Sequence, residues 1–244
     1  MYFLLTIIWL LLGTQQTISA EKTWGKTHFI VKDNTLICPA KKPSGQTGPL
    51  NESCLIHDGC VKHALFSAHD DIQKMLIDLI NKEQKSIKIA IFAFTDMEIA
   101  KALMSAHARG VSVRIICDCS CLRAKFSKIS LLQKEGISVF VYTPAQEHLF
   151  INDLMHHKFV IFEKNMMNKS LLWTGSFNFT KSANTKNQEN VLIIDDQYLI
   201  TLYNGHFDTL AKTITKTQKN IALAQRKERK AARALKQSKK QIIT

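Results

Sequence analysis

Helix-like and strand-like hydrophobic patterns alternate through the first half of the central chain. Apolar residues recur every three or four positions over 66–82, which predicts an amphipathic helix. The run SIKIAIFAFT at 86–95 has the apolar character of a central strand. A second helix is predicted over 96–109, ended by Gly110 as a C-terminal cap, and VSVRIICDC at 111–119 is the next predicted strand. This alternation favours right-handed crossovers and a parallel sheet.

Further short apolar runs continue the pattern towards the C-terminus. A basic helical segment is predicted around 127–134, and it is followed by the strand ISVFVY at 137–142. Three more strand-like runs lie at 159–162, 171–174 and 191–194. The sequence therefore predicts an α/β domain with a mostly parallel central sheet flanked by helices. Functional groups are expected at strand ends and in the loops beside them, where open α/β sheets bind ligands.

Composition divides the 244 residues into four segments. Residues 1–20 contain an apolar run too short to span a bilayer and end in small residues, which predicts a signal peptide cleaved before Glu21 and export to the periplasm or outside the cell. An uncleaved N-terminal membrane anchor is the alternative. Residues 21–62 form a predicted arm rich in Pro, Gly, Ser and Lys, residues 63–210 the central domain, and residues 211–244 a basic tail.

Three of the six cysteines lie in the arm, at Cys38, Cys54 and Cys60. Export to an oxidising compartment favours disulfides, and pairing of Cys54 with Cys60 would close a small loop. A zinc site that adds His57 and His63 is the alternative, but the spacing matches no common zinc finger.

The other three cysteines alternate along the chain at Cys117, Cys119 and Cys121. On a continuous strand their thiols would share one face, where they could bind a soft metal ion. Burial as small apolar residues at a strand end is the favoured interpretation.

The C-terminal tail carries most of the positive charge. Between Lys216 and Thr244 there are ten Lys or Arg residues against Glu228 alone, so this stretch contributes +9 of the formal net charge of +13. The composition allows a helix with a thin apolar stripe. The tail is either a solvated extension or an electrostatic arm for polyanions, namely nucleic acid or an anionic lipid surface.

The richest set of reactive side chains lies between residues 155 and 190. His156 and Lys158 are two residues apart at the head of the 159–162 run, so their side chains are expected on one face, with His157 facing away in a structural role. The small-residue turn after the 171–174 run supplies a hydroxyl, an amide and backbone donors at Gly175, Ser176 and Asn178. The carboxylate of Glu189 precedes the next apolar run. These groups together indicate phosphoryl chemistry.

The pattern HxKxxxx followed by an acid, then GSxN and a downstream acid, resembles the signature of the phospholipase D superfamily. The resemblance covers about 66–207 and is closest to the single-motif branch of small bacterial nucleases, mitochondrial cardiolipin hydrolases and piRNA nucleases. It implies a phospholipase D-like α/β/α sandwich with one motif per chain. It also implies that His156 attacks phosphorus, that Lys158 and Asn178 bind phosphate oxygens, that Ser176 supports this site, and that Glu189 orients His156.

One motif position departs from the family pattern. Glu163 stands where the family has Asp. The resemblance implies that this acid is structural, so the extra methylene is expected to strain local hydrogen bonds rather than remove a catalytic group.

A single motif supplies only one histidine of the required kind. The resemblance therefore implies a homodimer whose two His156 side chains meet across a two-fold axis, one as nucleophile and the other as general acid. Lys158 and Asn178 would neutralise the phosphate oxygens, so no metal ion or cofactor is expected. Because one histidine must be neutral and the other protonated, the pH profile of activity should be bell-shaped.

The motif leaves the substrate class open. The leading hypothesis is a metal-independent nuclease, supported by the close match of 175–190 to small nucleases and by the basic tail. The alternative is a phospholipase D that hydrolyses phosphoglycerides or cardiolipin, because the same chemistry serves both substrates. A second alternative is an inactive module that binds polyanions.

Overall fold

The computed structural model describes residues 56–57, 59–144 and 153–243 of the chain. Its centre is an eight-stranded sheet with the spatial order β1-β2-β8-β7-β6-β3-β4-β5. The strands are β1 Ile56–His57, β2 Cys60–Phe66, β3 Ser86–Ile91, β4 Ser112–Asp118, β5 Ser138–Tyr142, β6 Lys158–Phe162, β7 Leu171–Gly175 and β8 Asn190–Ile194. All six predicted strands are present, each at the apolar run that predicted it.

Helices cover both faces of the sheet. They are α1 Ile72–Lys82, α2 Met97–Ala108, α3 Cys119–Arg123, α4 Ile129–Lys134, α5 Lys181–Thr185 and α6 Gln197–Ile243, with a 3-10 turn at Met166–Asn168. One apolar core lies between the sheet and the helices α1 and α2, and a second lies between the sheet and α6. The α/β/α sandwich predicted from the sequence is therefore confirmed.

The predicted parallel character of the sheet is wrong for most of its strands. Among the strands that the structure describes, only β3, β4 and β5 pair in parallel. The strands β6, β7, β8 and β2 join the sheet by antiparallel pairing. The connection from β6 to β7 contains only residues 163–170, which is too short for the helical crossover that a parallel pair requires.

The start of the domain also differs from the prediction. Helix α1 begins at Ile72 rather than at residue 66, because the Asp71 side chain caps it by accepting a hydrogen bond from the Lys74 backbone amide at 3.0 Å. Residues 60–66 form β2 instead, paired with β8. The predicted boundary between arm and domain at residues 62 and 63 therefore falls inside a strand.

Helix α6 continues through the predicted start of the basic tail at residue 211 without a break and is 47 residues long. Ala211 and Ile214 on this helix are buried in the same core as Phe207. The first turns of the tail are thus part of the folded domain. Among the helices that the structure describes, none is both long enough and apolar enough to cross a membrane.

The predicted signal peptide 1–20 and the arm cysteines Cys38 and Cys54 lie outside the described residues, so the predicted disulfide and its zinc alternative remain predictions. Among the described residues, the four cysteines Cys60, Cys117, Cys119 and Cys121 form no disulfide with one another.

The last three of these cysteines do not share a strand face, because β4 ends at Asp118 and Cys119 begins α3. A hydrogen bond between Cys117 and Cys121 raises the pKa of the Cys117 thiol, as does burial, and lowers that of Cys121. Burial of Cys117 and Cys121 agrees with their interpretation as small apolar residues.

Candidate functional site

The register of the sheet gathers the sequence-predicted residues at one edge. Lys158 at the start of β6 lies opposite Ile91 at the end of β3. Gly175 at the end of β7 lies opposite Val191 near the start of β8. The loops that leave these strand ends carry His156, Ser176, Asn178 and Glu189, so residues separated by more than thirty positions in sequence share one sheet edge.

His156 and Lys158 are in direct contact. The Lys158 Nζ atom lies 2.9 Å from Nδ1 and 3.2 Å from Nε2 of His156, and it donates a hydrogen bond of 2.8 Å to the His156 carbonyl oxygen. The imidazole ring packs against Phe92, with ring centroids 4.4 Å apart. His156 is otherwise exposed. Phe92 holds one face of the ring and leaves the histidine open to a substrate.

Partial burial shapes the electrostatics of this pair. Burial lowers the pKa of the Lys158 ammonium, while the negative charge of Glu189 opposes the shift. A less hydrated cation interacts more strongly with an anion placed beside it, since water screens the charge less. The Lys158 ammonium is therefore suited to binding a phosphate oxygen next to His156.

Glu189 organises a second group of polar residues at the same edge. Its carboxylate accepts hydrogen bonds from the Ser176 hydroxyl and, at 2.9 Å, from the Asn187 side-chain amide. Its backbone amide donates to the Ser67 hydroxyl at 2.8 Å. The Ser176 hydroxyl also accepts from the Asn190 backbone amide at 3.1 Å. The Ser176 side chain is thus held by Glu189 and by the start of β8, and its supporting role at a phosphate site stays a prediction.

The predicted contact between Glu189 and His156 is absent from the described part of a single chain. Both oxygens of the Glu189 carboxylate are occupied by Ser176 and Asn187, and its influence on the motif is electrostatic, through Lys158. The sequence places the acid at the correct edge but cannot show which neighbour it contacts.

Asn178 links the turn after β7 to the loop after β3. Its Oδ1 atom accepts a hydrogen bond of 3.2 Å from the Ala93 backbone amide. The neighbouring Phe179 donates to the Ala93 carbonyl oxygen at 3.0 Å and accepts from Thr95 at 2.8 Å. Among the described residues, the Asn178 Nδ2 group has no hydrogen-bond partner, so it is free to donate to a phosphate oxygen.

Asp118 is a functional candidate that the sequence reasoning missed. Its side chain is fully buried, and its Oδ2 atom accepts a hydrogen bond of 3.0 Å from the backbone amide of Met155, the residue immediately before His156. The other oxygen accepts from the Ser120 amide and hydroxyl at 2.8 and 2.6 Å. In the sequence, Asp118 can be noticed as a charged residue at the end of an otherwise apolar strand. Asp118 fixes the backbone that presents His156.

The other motif acid lies at the far end of β6. Glu163 accepts a hydrogen bond of 2.6 Å from the Ser86 hydroxyl and forms an ion pair with Lys85. Hydrogen bonds from Lys85 and Ser86 lower the pKa of its carboxyl. These contacts join the end of β6 to the start of β3, which agrees with the structural role implied for this acid.

His157 faces the opposite side of the sheet from Lys158, as side-chain alternation predicts. Its Nε2 atom lies 3.0 Å from Nε2 of His206 on α6, and its ring lies beside that of Phe159. Burial lowers the pKa of His157, and the neighbouring His206 and Lys158 lower it further. His157 therefore connects the motif loop to α6.

No group of three or more His, Cys, Asp or Glu residues within the described ranges is arranged to hold a metal ion. At this edge of the sheet lie the imidazole of His156, the partly buried ammonium of Lys158 and the amide donor of Asn178. These are groups that can attack and neutralise a phosphate ester.

Comparison with known proteins agrees with this arrangement. A family model described as "Cardiolipin synthase, PLD-like domain" matches residues 76–211, more than half of the chain. A phospholipase D of Rickettsia conorii is 39% identical over 130 residues, covering 53% of this chain and 59% of the relative. A mitochondrial cardiolipin hydrolase of Canis lupus familiaris is 31% identical over 183 residues, covering 75% of this chain and 63% of the relative.

Two solved structures share the fold over almost their whole length. Nuc from Salmonella typhimurium, a phospholipase D family member, is 26% identical with a TM-score of 0.53, covering 62% of this chain and 93% of Nuc. NucT from Helicobacter pylori is 27% identical with a TM-score of 0.54, covering 63% of this chain and 96% of NucT.

The fold and the site define a phospholipase D-like domain with a single histidine–lysine motif. The chain belongs to the PLD-like domain family, as the sequence motif predicts. It spans about 60% of the length of the curated relatives described above.

Proposed function

We propose that this protein is a phosphodiesterase that cleaves nucleic acid through a phosphohistidine intermediate. The observation that carries the proposal is the direct contact between His156 and Lys158 at an open sheet edge, at 2.9 Å. A phosphodiester is an anion and repels nucleophiles, so a cation beside the attacking imidazole removes much of the electrostatic barrier.

In the first step a neutral His156 attacks phosphorus. A bond forms between a ring nitrogen and phosphorus, while the bond from phosphorus to the leaving oxygen breaks. Lys158 and Asn178 bind the remaining oxygens, and Ser176, held by Glu189, keeps the turn around Asn178 in place. His156 of the partner subunit donates a proton to the leaving oxygen.

In the second step water replaces histidine on phosphorus. His156 of the partner subunit accepts a proton from the water, the new bond from oxygen to phosphorus forms, and the bond from nitrogen to phosphorus breaks. Splitting the displacement into two steps lets one site use the same two histidines twice. The reaction needs one neutral and one protonated imidazole, so the pH profile of activity is bell-shaped.

Nucleic acid is the proposed substrate on two grounds. The stretch 175–190 resembles small bacterial nucleases, and the exposed C-terminal helix is strongly basic. Phospholipid is the second candidate, favoured by the names of the relatives, phospholipase D and mitochondrial cardiolipin hydrolase.

Turnover on parallel substrates tests the proposed function. Purified protein is assayed with EDTA on labelled single- and double-stranded DNA, on RNA, and on phosphatidylcholine and cardiolipin vesicles. We expect cleavage of nucleic acid without added metal ion, because Lys158 and Asn178 perform the neutralisation that metal ions perform in other nucleases. Hydrolysis of lipid alone would show that the protein is a phospholipase and not a nuclease. Binding without turnover on any substrate would identify an inactive polyanion-binding module.

A homodimer is the proposed active form, because each chain carries one His156 and the reaction uses two. Analytical ultracentrifugation at the enzyme concentration used for the assay should give twice the mass of the single purified chain. Dilution that dissociates the dimer should reduce specific activity in parallel. A fully active monomer would contradict the two-histidine mechanism.

Export is proposed for the cellular location, with cleavage after residue 20. The support is the apolar run in residues 2–12 followed by small residues.

A further inference from the structure

A groove outside the motif edge is lined by cationic side chains. It has a volume of about 620 Å³ and lies between α6 and the strands β4 and β5. Its lining includes Arg114, Phe140, Asp208, Lys212, Lys216 and Lys219. The mechanism proposed above uses none of these residues.

The three lysines form one line along α6. Lys212, Lys216 and Lys219 are spaced by four and three residues, so they project from the same side of the helix. With a rise of about 1.5 Å per residue, they lie about 6 and 4.5 Å apart along the helix axis. All three are exposed. A row of exposed ammonium groups at this spacing suits a chain of phosphates better than a single small anion.

The carboxylate in the groove does not cancel this row. Asp208 forms ion pairs with Arg114 at 3.0 Å and with Lys88 at 3.1 Å. Burial opposes ionisation of Asp208, but hydrogen bonds from Lys88 and Arg114 hold the pKa of its carboxyl below its usual value. Two cations therefore already neutralise this acid, which is the only acidic residue among the described residues that line the groove, so the lysine row remains unopposed.

The aromatic lining and the continuation of the groove also suit a strand of nucleic acid. Phe140 lines the groove beside Arg114, whose guanidinium carbon lies over the ring at 5.3 Å from its centroid. Proteins that bind single strands combine such a basic groove with aromatic surface. Beyond the groove, α6 adds four exposed cations, at Arg226, Lys227, Arg229 and Lys230.

A membrane surface fits this face less well. An interfacial helix needs a broad apolar side to enter the lipid headgroup region. Past residue 216, the large apolar side chains exposed on the described part of α6 are Ile221 and Leu223. A concave groove lined by lysines is also poorly matched to a flat bilayer.

We infer that the groove between α6 and the β4–β5 edge binds the phosphate backbone of single-stranded nucleic acid through Lys212, Lys216 and Lys219. The ligand class rests on the proposed function, whereas binding in the groove does not require catalysis. α6 also carries His206, which contacts His157 beside the motif, so the helix that lines the groove reaches the motif loop.

Charge reversal in a cleavage-deficient background tests the groove. The full chain carrying His156→Ala is compared with versions that add Lys216→Glu and Lys219→Glu, or the control pair Lys125→Glu and Lys134→Glu. The control lysines are also exposed and change the net charge equally. Affinity for a fluorescein-labelled single-stranded oligonucleotide is measured by anisotropy over a series of salt concentrations.

The groove pair should lose affinity by about tenfold or more, while the control pair loses less than about twofold. Losing two phosphate contacts should also reduce the slope of log affinity against log salt by about 1.4. Equal losses in both pairs, or no loss, would overturn the inference. A loss of binding to cardiolipin vesicles without a loss for the oligonucleotide would overturn it as well.

The same proteins separate this inference from the proposed function. In one outcome, the wild type cleaves no phosphodiester while the Lys216→Glu and Lys219→Glu pair still loses oligonucleotide binding selectively. That result would support binding in the groove and contradict the proposed catalysis. If the wild type cleaves nucleic acid but the groove and control pairs bind alike, the catalysis stands and the groove inference fails.

Discussion

Replacing His156 by alanine is expected to lower phosphodiester turnover by about 1,000-fold or more, the scale seen when a covalent nucleophile is removed. The side chain is exposed and contacts Phe92 and Lys158, so its removal should leave the fold intact. Initial rates on the substrate identified by parallel assays measure the loss. The melting temperature should stay close to that of the wild type.

His157→Ala is the matched control, because it removes an adjacent imidazole that faces α6. It should retain activity within about tenfold, which is far from the loss expected on removing the nucleophile. Rapid quenching of a reaction with labelled substrate in denaturing detergent at alkaline pH, where the phosphorus–nitrogen bond of phosphohistidine survives, should trap a phosphorylated wild-type chain and no phosphorylated His156→Ala chain. Comparable losses in the two variants, or label retained without His156, would remove His156 from the nucleophilic role.

Gly175→Ala is expected to destabilise the fold by about 1–3 kcal/mol, the usual cost of forcing extra atoms into a packed region. A Cβ atom at this position would lie 2.9 Å from both the Asn190 carbonyl carbon and the Val191 Cα atom. Backbone atoms of a paired strand cannot move aside as a flexible side chain can. The midpoint of urea denaturation measures the change.

The same substitution should also reduce turnover, because separating β7 from β8 displaces Ser176 from the Asn190 amide and from Glu189. Gly205→Ala provides the control. Apart from the backbone of α6 itself, a Cβ at Gly205 would meet open space, so alanine there should stabilise the helix by about 0.5–1 kcal/mol. A Gly175→Ala protein as stable as the wild type would contradict the close approach of β7 and β8.

Much of the candidate site could be predicted from the sequence because its residues lie in short local patterns. His156 and Lys158 are two positions apart beside a strand, and alternation alone puts their side chains together and His157 on the other face. Ser176 and Asn178 lie on one small-residue turn. Neither prediction needs knowledge of which strands are neighbours.

Other features depend on contacts between distant segments and could not be predicted. Asp118 is 37 positions from Met155, and only the packing of the β4 end against the motif loop turns it into an anchor for the His156 backbone. Glu189 was expected to contact His156, but the pairing of β7 with β8 brings it to Ser176. The groove likewise requires α6 to cross β5, far from it in sequence.

The sequence by itself determined six of the eight described strands, the helices α1, α2 and α4, the family and the motif residues, because each is recorded in local periodicity or in a short motif spacing. The tertiary structure decided strand direction, the place of β2 in the sheet and the continuity of α6 past residue 211. These features follow from the burial of apolar faces against distant segments. A run of apolar residues shows that its side chains must be buried, but it does not show which segment of the chain packs against them.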